Sequence, residues 1–133
     1  MATPGRTTTP RGPTEPVPPR RTARWWRLGF FGLVVVQLLA VYWPKVDVQG
    51  PVTWTDKVVH VLLFLAPTVA GLLAGLRPGW VVGLVALHAP VSELVQHFLL
   101  PNRSGDVWDA VADLSGVVIG VTLVMVWRAR RRW

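Results

Sequence analysis

Residues 107–127 read VWDAVADLSGVVIGVTLVMVW, and only Asp109 and Asp113 carry charge in this run. A helix needs about 20 predominantly apolar residues to cross the hydrocarbon core of a bilayer. The stretch RARRR follows at residues 128–132, and basic residues beside an apolar span are typical of its cytoplasmic end. The sequence therefore predicts a transmembrane helix that ends at the cytoplasmic face.

Three further apolar stretches have the same character, at residues 28–43, 58–76 and 80–100. Tryptophans lie at several of their ends, where an amphipathic indole prefers the membrane interface. Of the whole chain, 51 % is hydrophobic and 16 % is charged, whereas a soluble domain carries about 25 % charged residues. We predict an all-α integral membrane protein, a bundle of four transmembrane helices, formed by residues 25–133.

The positions of Lys and Arg predict the orientation of this bundle. The N-terminal tail has six Arg, the C-terminus has four, and the loop between the second and third spans has Arg77. The opposite side has Lys45, Lys57 and Arg103. Because short cytoplasmic loops carry an excess of basic residues, we predict that both termini lie in the cytoplasm.

Residues 1–24 differ in composition from the rest of the chain. They hold six of the twelve prolines, several Thr and Arg, and a single acid, Glu15. Such a segment buries too little apolar surface to offset its ordering entropy. We predict a disordered, basic cytoplasmic tail that is solvated, with contact to anionic lipid headgroups as the alternative.

Charge and cysteine content exclude several functional classes. The net charge of +7 arises mainly from the two terminal Arg groups, which the membrane topology explains. We therefore expect the lipid bilayer as a partner and no nucleic acid. The chain has no cysteine, which excludes disulfides, thiolate catalysis and cysteine-ligated metal sites.

Polar side chains collect near the ends of spans two, three and four that we predict to be external. Charges inside a span are costly unless they face a partner or water, so they are functional candidates. Glu93 and Asp113 lie too deep in their predicted helices to be capping residues. We predict one outward-facing pocket with these ligand-binding residues: Asp56, Lys57, His60, Glu93, Gln96, His97, Arg103, Asp106, Asp109 and Asp113.

Helical spacing allows these side chains to share one centre. Residues three or four apart lie on the same face of a helix, as do Asp56 and His60 in span two. Span four carries one such stripe: Asp109, Asp113, Gly116 and Gly120. The two glycines form a G-x-x-x-G pair, which allows a neighbouring helix to approach closely.

Some of these residues also have structural interpretations. Asp56 is a plausible helix N-cap, and Asp106 and Asp109 lie at the start of span four, where acids complement the helix dipole. His88 lies mid-span, away from the face that carries Glu93. We predict that it is a packed, hydrogen-bonded histidine.

Two segments resemble elements of VanZ-like membrane proteins. TWTDKVVHVLLF, at residues 53–64, resembles the D-K-x-x-H element of that family. SELVQHFLLPNRSGDVWDAVADLSGVVIG, at residues 92–120, resembles the second element, an E-x-x-Q, an Arg-Ser loop and D-x-x-D-x-x-x-N-x-x-G. Its matching positions here are Glu93, Gln96, Arg103, Ser104, Asp106, Asp109, Asp113 and Gly116. Asp113 departs from the pattern, because the family usually has Asn there.

The resemblance covers spans two to four and implies a location in a bacterial cell membrane. The family is named for a protein that raises resistance to the lipoglycopeptide teicoplanin. A role at the cell envelope, with a contribution to lipoglycopeptide tolerance, is therefore what the resemblance implies. It implies no particular reaction.

Three functions remain open from the residues themselves. The first is binding of an amphiphile: a polyprenyl-linked wall precursor, an acylated glycopeptide or a phospholipid. Lys57 and Arg103 would then meet phosphate or carboxylate, and the acids would meet hydroxyls or amines.

The second function is an intramembrane acid–base or metal-dependent enzyme that acts on a lipid-linked envelope substrate. Its catalytic candidates are His60, Glu93, Asp109 and Asp113, and its weak metal-ligand candidates are His60, Glu93 and His97. The third function is a transporter that uses the acids as a proton relay. The sequence identifies neither a cofactor nor an oligomeric state.

Overall fold

The computed structural model describes residues 20–43, 54–100 and 106–132. Within these ranges all regular structure is helical. The four helices are α1 (Arg20–Tyr42), α2 (Thr55–Leu73), α3 (Pro78–Leu99) and α4 (Val107–Arg130). Each contains a stretch long and apolar enough to span a membrane. The predicted four-helix architecture is confirmed, and the side on which the termini lie stays a prediction.

The first helix begins earlier than the apolar pattern indicated. It starts at Arg20, so residues 20–24 are helical and do not belong to the predicted disordered tail. Arg has a high intrinsic helix propensity, so the helix extends readily over these residues. The prediction of disorder for residues 1–19 lies outside the described residues.

The bundle exposes apolar side chains and buries polar ones. Leu87 is 61 % exposed and Val118 is 64 % exposed, whereas Glu93 is 7 % exposed and Asp113 is fully buried. This is the reverse of a water-soluble protein, in which ionised groups remain at the surface. The arrangement suits a hydrocarbon surrounding, where apolar side chains face lipid and polar groups face the bundle interior.

The packing of α2 against α4 is the most extensive contact between helices. A Cβ added at Gly116 would collide with the backbone carbonyl oxygen of Val61, and one at Gly120 would lie 3.1 Å from the Thr68 side chain. The two glycines therefore allow the backbones to approach closely. This confirms the role predicted for the G-x-x-x-G pair.

At the opposite end of this pair of helices, α2 ends in a tight turn. Gly75 adopts a positive φ of 71°, and the backbone N–H of Leu76 donates to the carbonyl of Gly71, which is the Schellman ending of a helix. The Arg128 guanidinium donates to the carbonyl oxygen of Leu72 at 2.7 Å. This hydrogen bond links the end of α4 to the end of α2.

His88 occupies a separate polar contact in the middle of the bundle. Its Nε2 lies 3.0 Å from the hydroxyl of Tyr42 on α1. Its ring stacks on Phe64 of α2, with 5.5 Å between centroids and 20° between planes. The prediction of a packed, hydrogen-bonded histidine is confirmed.

Candidate functional site

One end of the bundle carries a concentration of ionisable side chains. There α2 begins, α3 ends and α4 begins, because consecutive helices run in opposite directions. We call the following seven residues the polar cluster: Asp56, Lys57, His60, Glu93, Asp106, Asp109 and Asp113. All seven were predicted from the sequence as ligand-binding residues. The cluster holds five carboxylates and one lysine.

Lys57 is held by carboxylates from two helices. Its ammonium donates to Asp106 Oδ2 at 2.8 Å and to Asp109 Oδ1. Asp56 Oδ2 lies 3.7 Å from the same nitrogen. Because its hydrogen-bonding capacity is directed to these acids, Lys57 acts as a counter-ion within the cluster. This differs from the expectation that it contacts a ligand phosphate.

Asp106 joins the start of α4 to the other two helices. Its Oδ1 accepts from the backbone N–H of Trp108 at 2.9 Å, so the predicted capping role is confirmed. Its own backbone N–H donates to Glu93 Oε2 at 2.8 Å. The hydrogen bond from Lys57, and then that from Trp108, hold the pKa of Asp106 below its usual range.

Asp56 lies in the first turn of α2, but it is not the N-cap. The N-cap position belongs to Trp54, which provides no side-chain cap. The predicted capping role of Asp56 is therefore wrong, because α2 begins at Thr55 and already includes Asp56. Its carboxylate instead lies beside Lys57 and His60.

His60 connects α2 with two acids of α4. Its Nδ1 lies 2.9 Å from Asp113 Oδ1. Its Nε2 lies 3.8 Å from Asp109 Oδ2 and 3.9 Å from Asp56 Oδ1. The imidazole is thus surrounded by carboxylates on both of its nitrogen-bearing sides.

Three buried side-chain polar atoms of α3 and α4 lack a hydrogen-bond partner among the described residues. They are Glu93 Oε1, Asp113 Oδ2 and, one helical turn from Glu93, Gln96 Nε2. An unsatisfied buried polar group costs about 1–3 kcal/mol, and more when it is charged. The two carboxylate oxygens therefore have free capacity to accept a hydrogen bond or to bind a cation.

The cluster contains two sets of side chains with the geometry of a metal site. In each set, one ligand atom per residue lies within 4.8 Å of the others. One set is Asp56, His60 and Asp109, and the other is His60, Glu93 and Asp113. The second set draws one residue from each of three helices, and two of its members are buried.

Three other residues predicted for the site, Gln96, His97 and Arg103, are not members of the polar cluster. Gln96 is buried beside the cluster, with 5 % exposure. His97 is exposed, and its ring lies against Phe98 with 4.7 Å between centroids. His97 therefore belongs to neither of the two metal-like sets. Arg103 lies outside the described residues, as does Ser104 of the family pattern.

Gln37 of α1 is among the buried polar residues that sequence reasoning missed. It is 3 % exposed, and its Nε2 has no hydrogen-bond partner among the described residues. The sequence could have predicted this inward position, because Gln37 is a lone amide within the apolar stretch 28–43.

Comparisons with protein families, characterised proteins and solved structures give no match to this chain.

Proposed function

We propose that this chain is a VanZ-like protein of the bacterial envelope that binds the polar head of a lipid-linked ligand at the polar cluster. The single observation that carries the proposal is the convergence of seven ionisable side chains from three apolar helices at one end of the bundle. Ligand entry is from the external face, where wall precursors and glycopeptides are found.

The charge balance of the cluster favours binding over a purely structural role. Each unpaired charge within the membrane costs several kcal/mol, so a structural network is expected to pair its acids with an equal number of bases. Among the described residues, the five carboxylates of the cluster have two basic partners: the Lys57 ammonium contacts three of them, and His60 contacts Asp113. The excess of acceptors leaves room for donors supplied by a ligand.

The same balance indicates the chemistry of the head group. Carboxylates accept hydrogen bonds from amines and hydroxyls, and charge-assisted bonds of this kind are strong. Lys57 is already bound by acids, so the described part of the cluster favours amino and hydroxyl groups. Leu94 and Phe98 are 57 % and 73 % exposed on the same helix as Glu93 and provide apolar surface for a lipid tail.

The family resemblance adds the biological setting of this proposal. The residues that carry it include most of the polar cluster, among them His60, Glu93 and Asp109. A lipid-linked wall precursor and an acylated glycopeptide both combine a tail with amino and hydroxyl groups. Binding of either would account for a contribution to teicoplanin-type tolerance.

Native mass spectrometry of the full chain, released from bacterial membranes in mild detergent, tests the proposal. The variant is the substitution Glu93→Gln, which keeps side-chain size and removes one buried charge. The matched control is His97→Gln, an exposed change on the same helix as Glu93. We expect a co-purified polyprenyl-linked lipid on the wild type and the control, reduced about tenfold in the variant.

Teicoplanin and the unacylated glycopeptide vancomycin, each added to the same samples, provide the second comparison. Retention of teicoplanin alone would identify an acylated glycopeptide as the ligand class. If wild type and variant carry the same lipids and neither glycopeptide, the binding proposal is overturned.

A further inference from the structure

We propose that His60, Glu93 and Asp113 form a binding site for a divalent transition-metal ion at the centre of the polar cluster. The inference deepens the proposed function, since the ion would bind oxygen atoms of the same ligand head group. Metal binding is nevertheless a separate property from ligand binding, and it can be measured in the absence of any lipid.

The geometry of the three residues fits one shared ion. Each comes from a different helix, α2, α3 or α4, and their ligand atoms lie within 4.8 Å of one another. His60 Nδ1 and Asp113 Oδ1 are already 2.9 Å apart. Metal–ligand bonds of about 2.0–2.2 Å place neighbouring ligand atoms about 3–3.5 Å from one another, so small side-chain movements complete the site.

Two buried carboxylate oxygens provide independent evidence for a bound cation. Glu93 Oε1 and Asp113 Oδ2 have no hydrogen-bond partner within the described chain, although their side chains are 7 % and 0 % exposed. A metal ion would provide the partner that these oxygens lack. Two carboxylates and a neutral imidazole also carry the charge that balances a divalent ion.

The donor set narrows the identity of the metal. Imidazole suits zinc and other later transition metals, while carboxylates also suit manganese. A mixed set of one nitrogen and two oxygen donors therefore favours Zn²⁺ or Mn²⁺ over Mg²⁺, which prefers oxygen ligands and retains its waters. Three protein ligands leave coordination positions open, as in sites where the metal binds a further molecule.

The alternative set, Asp56, His60 and Asp109, is less suitable. The ammonium of Lys57 donates to Asp109 and lies 3.7 Å from Asp56 Oδ2. A cation there would have to displace Lys57 or lie against its positive charge. Asp56 also has a side chain that is 42 % exposed, so water already satisfies part of its hydrogen-bonding capacity.

The test measures metal binding by the purified full chain, without a histidine tag, after removal of metals with EDTA. Equilibrium dialysis against ZnCl₂, MnCl₂ or MgCl₂, followed by elemental analysis, gives stoichiometry and affinity. Substitution with Co²⁺ gives an absorption spectrum that reports the ligands. The variants are His60→Gln, Glu93→Gln and Asp113→Asn, and the controls are Asp56→Asn and His97→Gln.

We expect one Zn²⁺ or Mn²⁺ per wild-type chain, with weaker binding of Mg²⁺. Each of the three variants should lower the affinity about tenfold or more and change the Co²⁺ spectrum, while the two controls stay within about twofold of the wild type. The inference is overturned if no ion binds, or if Asp56→Asn abolishes binding and Glu93→Gln leaves it unchanged.

Repeating the lipid analysis in EDTA separates the two proposals. Lipid that is retained in EDTA, together with no metal uptake in the dialysis, would reject the metal site and leave ligand binding standing. Metal uptake in the dialysis, together with no lipid or glycopeptide retained by the metal-loaded chain, would reject ligand binding and leave the metal site standing.

Discussion

His60 of α2 and Asp113 of α4 form their 2.9 Å contact beside a close approach of the two helix backbones at Gly116. Val61 follows His60 directly, and its carbonyl oxygen faces Gly116, three residues after Asp113. The missing side chain at Gly116 thus brings the two helices near enough for the short Asp113 side chain to contact the imidazole. Close packing and the polar cluster are parts of one interface.

Gly116→Ala should therefore destabilise the protein, because the new Cβ would collide with the carbonyl oxygen of Val61. Overpacking of this kind costs about 1–3 kcal/mol in the free energy of unfolding. Titration with SDS measures that free energy. The control is Gly83→Ala, since a Cβ there has no heavy atom within 4 Å in the described structure. Equal stability of the two variants would contradict the packing account.

Lys57→Met should destabilise the bundle, because it leaves Asp56, Asp106 and Asp109 close together without their shared ammonium. Lys57 is partly exposed, with 34 % of its side chain accessible, so we expect a loss of only about 1–2 kcal/mol. Adding Asp109→Asn to Lys57→Met should recover part of that loss. A double-mutant cycle should give a coupling of about 1 kcal/mol, and strict additivity would contradict the pairing.

Arg128→Ala should loosen the other end of the bundle, because Arg128 donates to the Leu72 carbonyl. A hydrogen bond of this kind contributes about 1 kcal/mol. Arg130→Ala removes the same charge from the same helix, where residue 130 is exposed. Thermal denaturation in detergent should therefore show a lower midpoint for Arg128→Ala alone. A similar decrease for Arg130→Ala would indicate a general effect of charge.

The membrane orientation has a direct test. A reporter fused after residue 132 should be active in the cytoplasm, and one inserted between residues 44 and 52 should be active outside, because Arg is concentrated at the termini. An external signal from the C-terminal fusion would place the polar cluster on the cytoplasmic side. The proposed access from outside would then be wrong.

The helices and most of the polar cluster could be predicted from the sequence, for identifiable physical reasons. Apolar length determines where a membrane helix can form, and the spacing of Asp109, Asp113, Gly116 and Gly120 assigned a common face to these residues. The cost of charge in a bilayer also predicted that Glu93 and Asp113 face inward, as their burial shows.

The exposure of His97 and the pairing of Lys57 could not be predicted, because they depend on how the helices pack against one another. His97 is four residues from Glu93 and was grouped with it, yet His97 is exposed whereas Glu93 is buried. Lys57 was expected to contact a ligand, but three acids hold it. Such pairing depends on how the start of α4 faces the start of α2, which a single helix pattern cannot specify.

Cysteine cross-linking tests whether the side chains of Glu93 on α3 and Asp113 on α4 face each other in one shared site. The chain has no native cysteine, so the pair Glu93→Cys with Asp113→Cys provides the only thiols. The control pair is Leu94→Cys with Leu114→Cys, at adjacent positions that are 57 % and 40 % exposed. A short bis-maleimide and intact-mass analysis distinguish one bridging reagent from two separate additions. We predict a bridge between residues 93 and 113 and separate additions at 94 and 114; a bridge in the control pair alone would contradict the shared site.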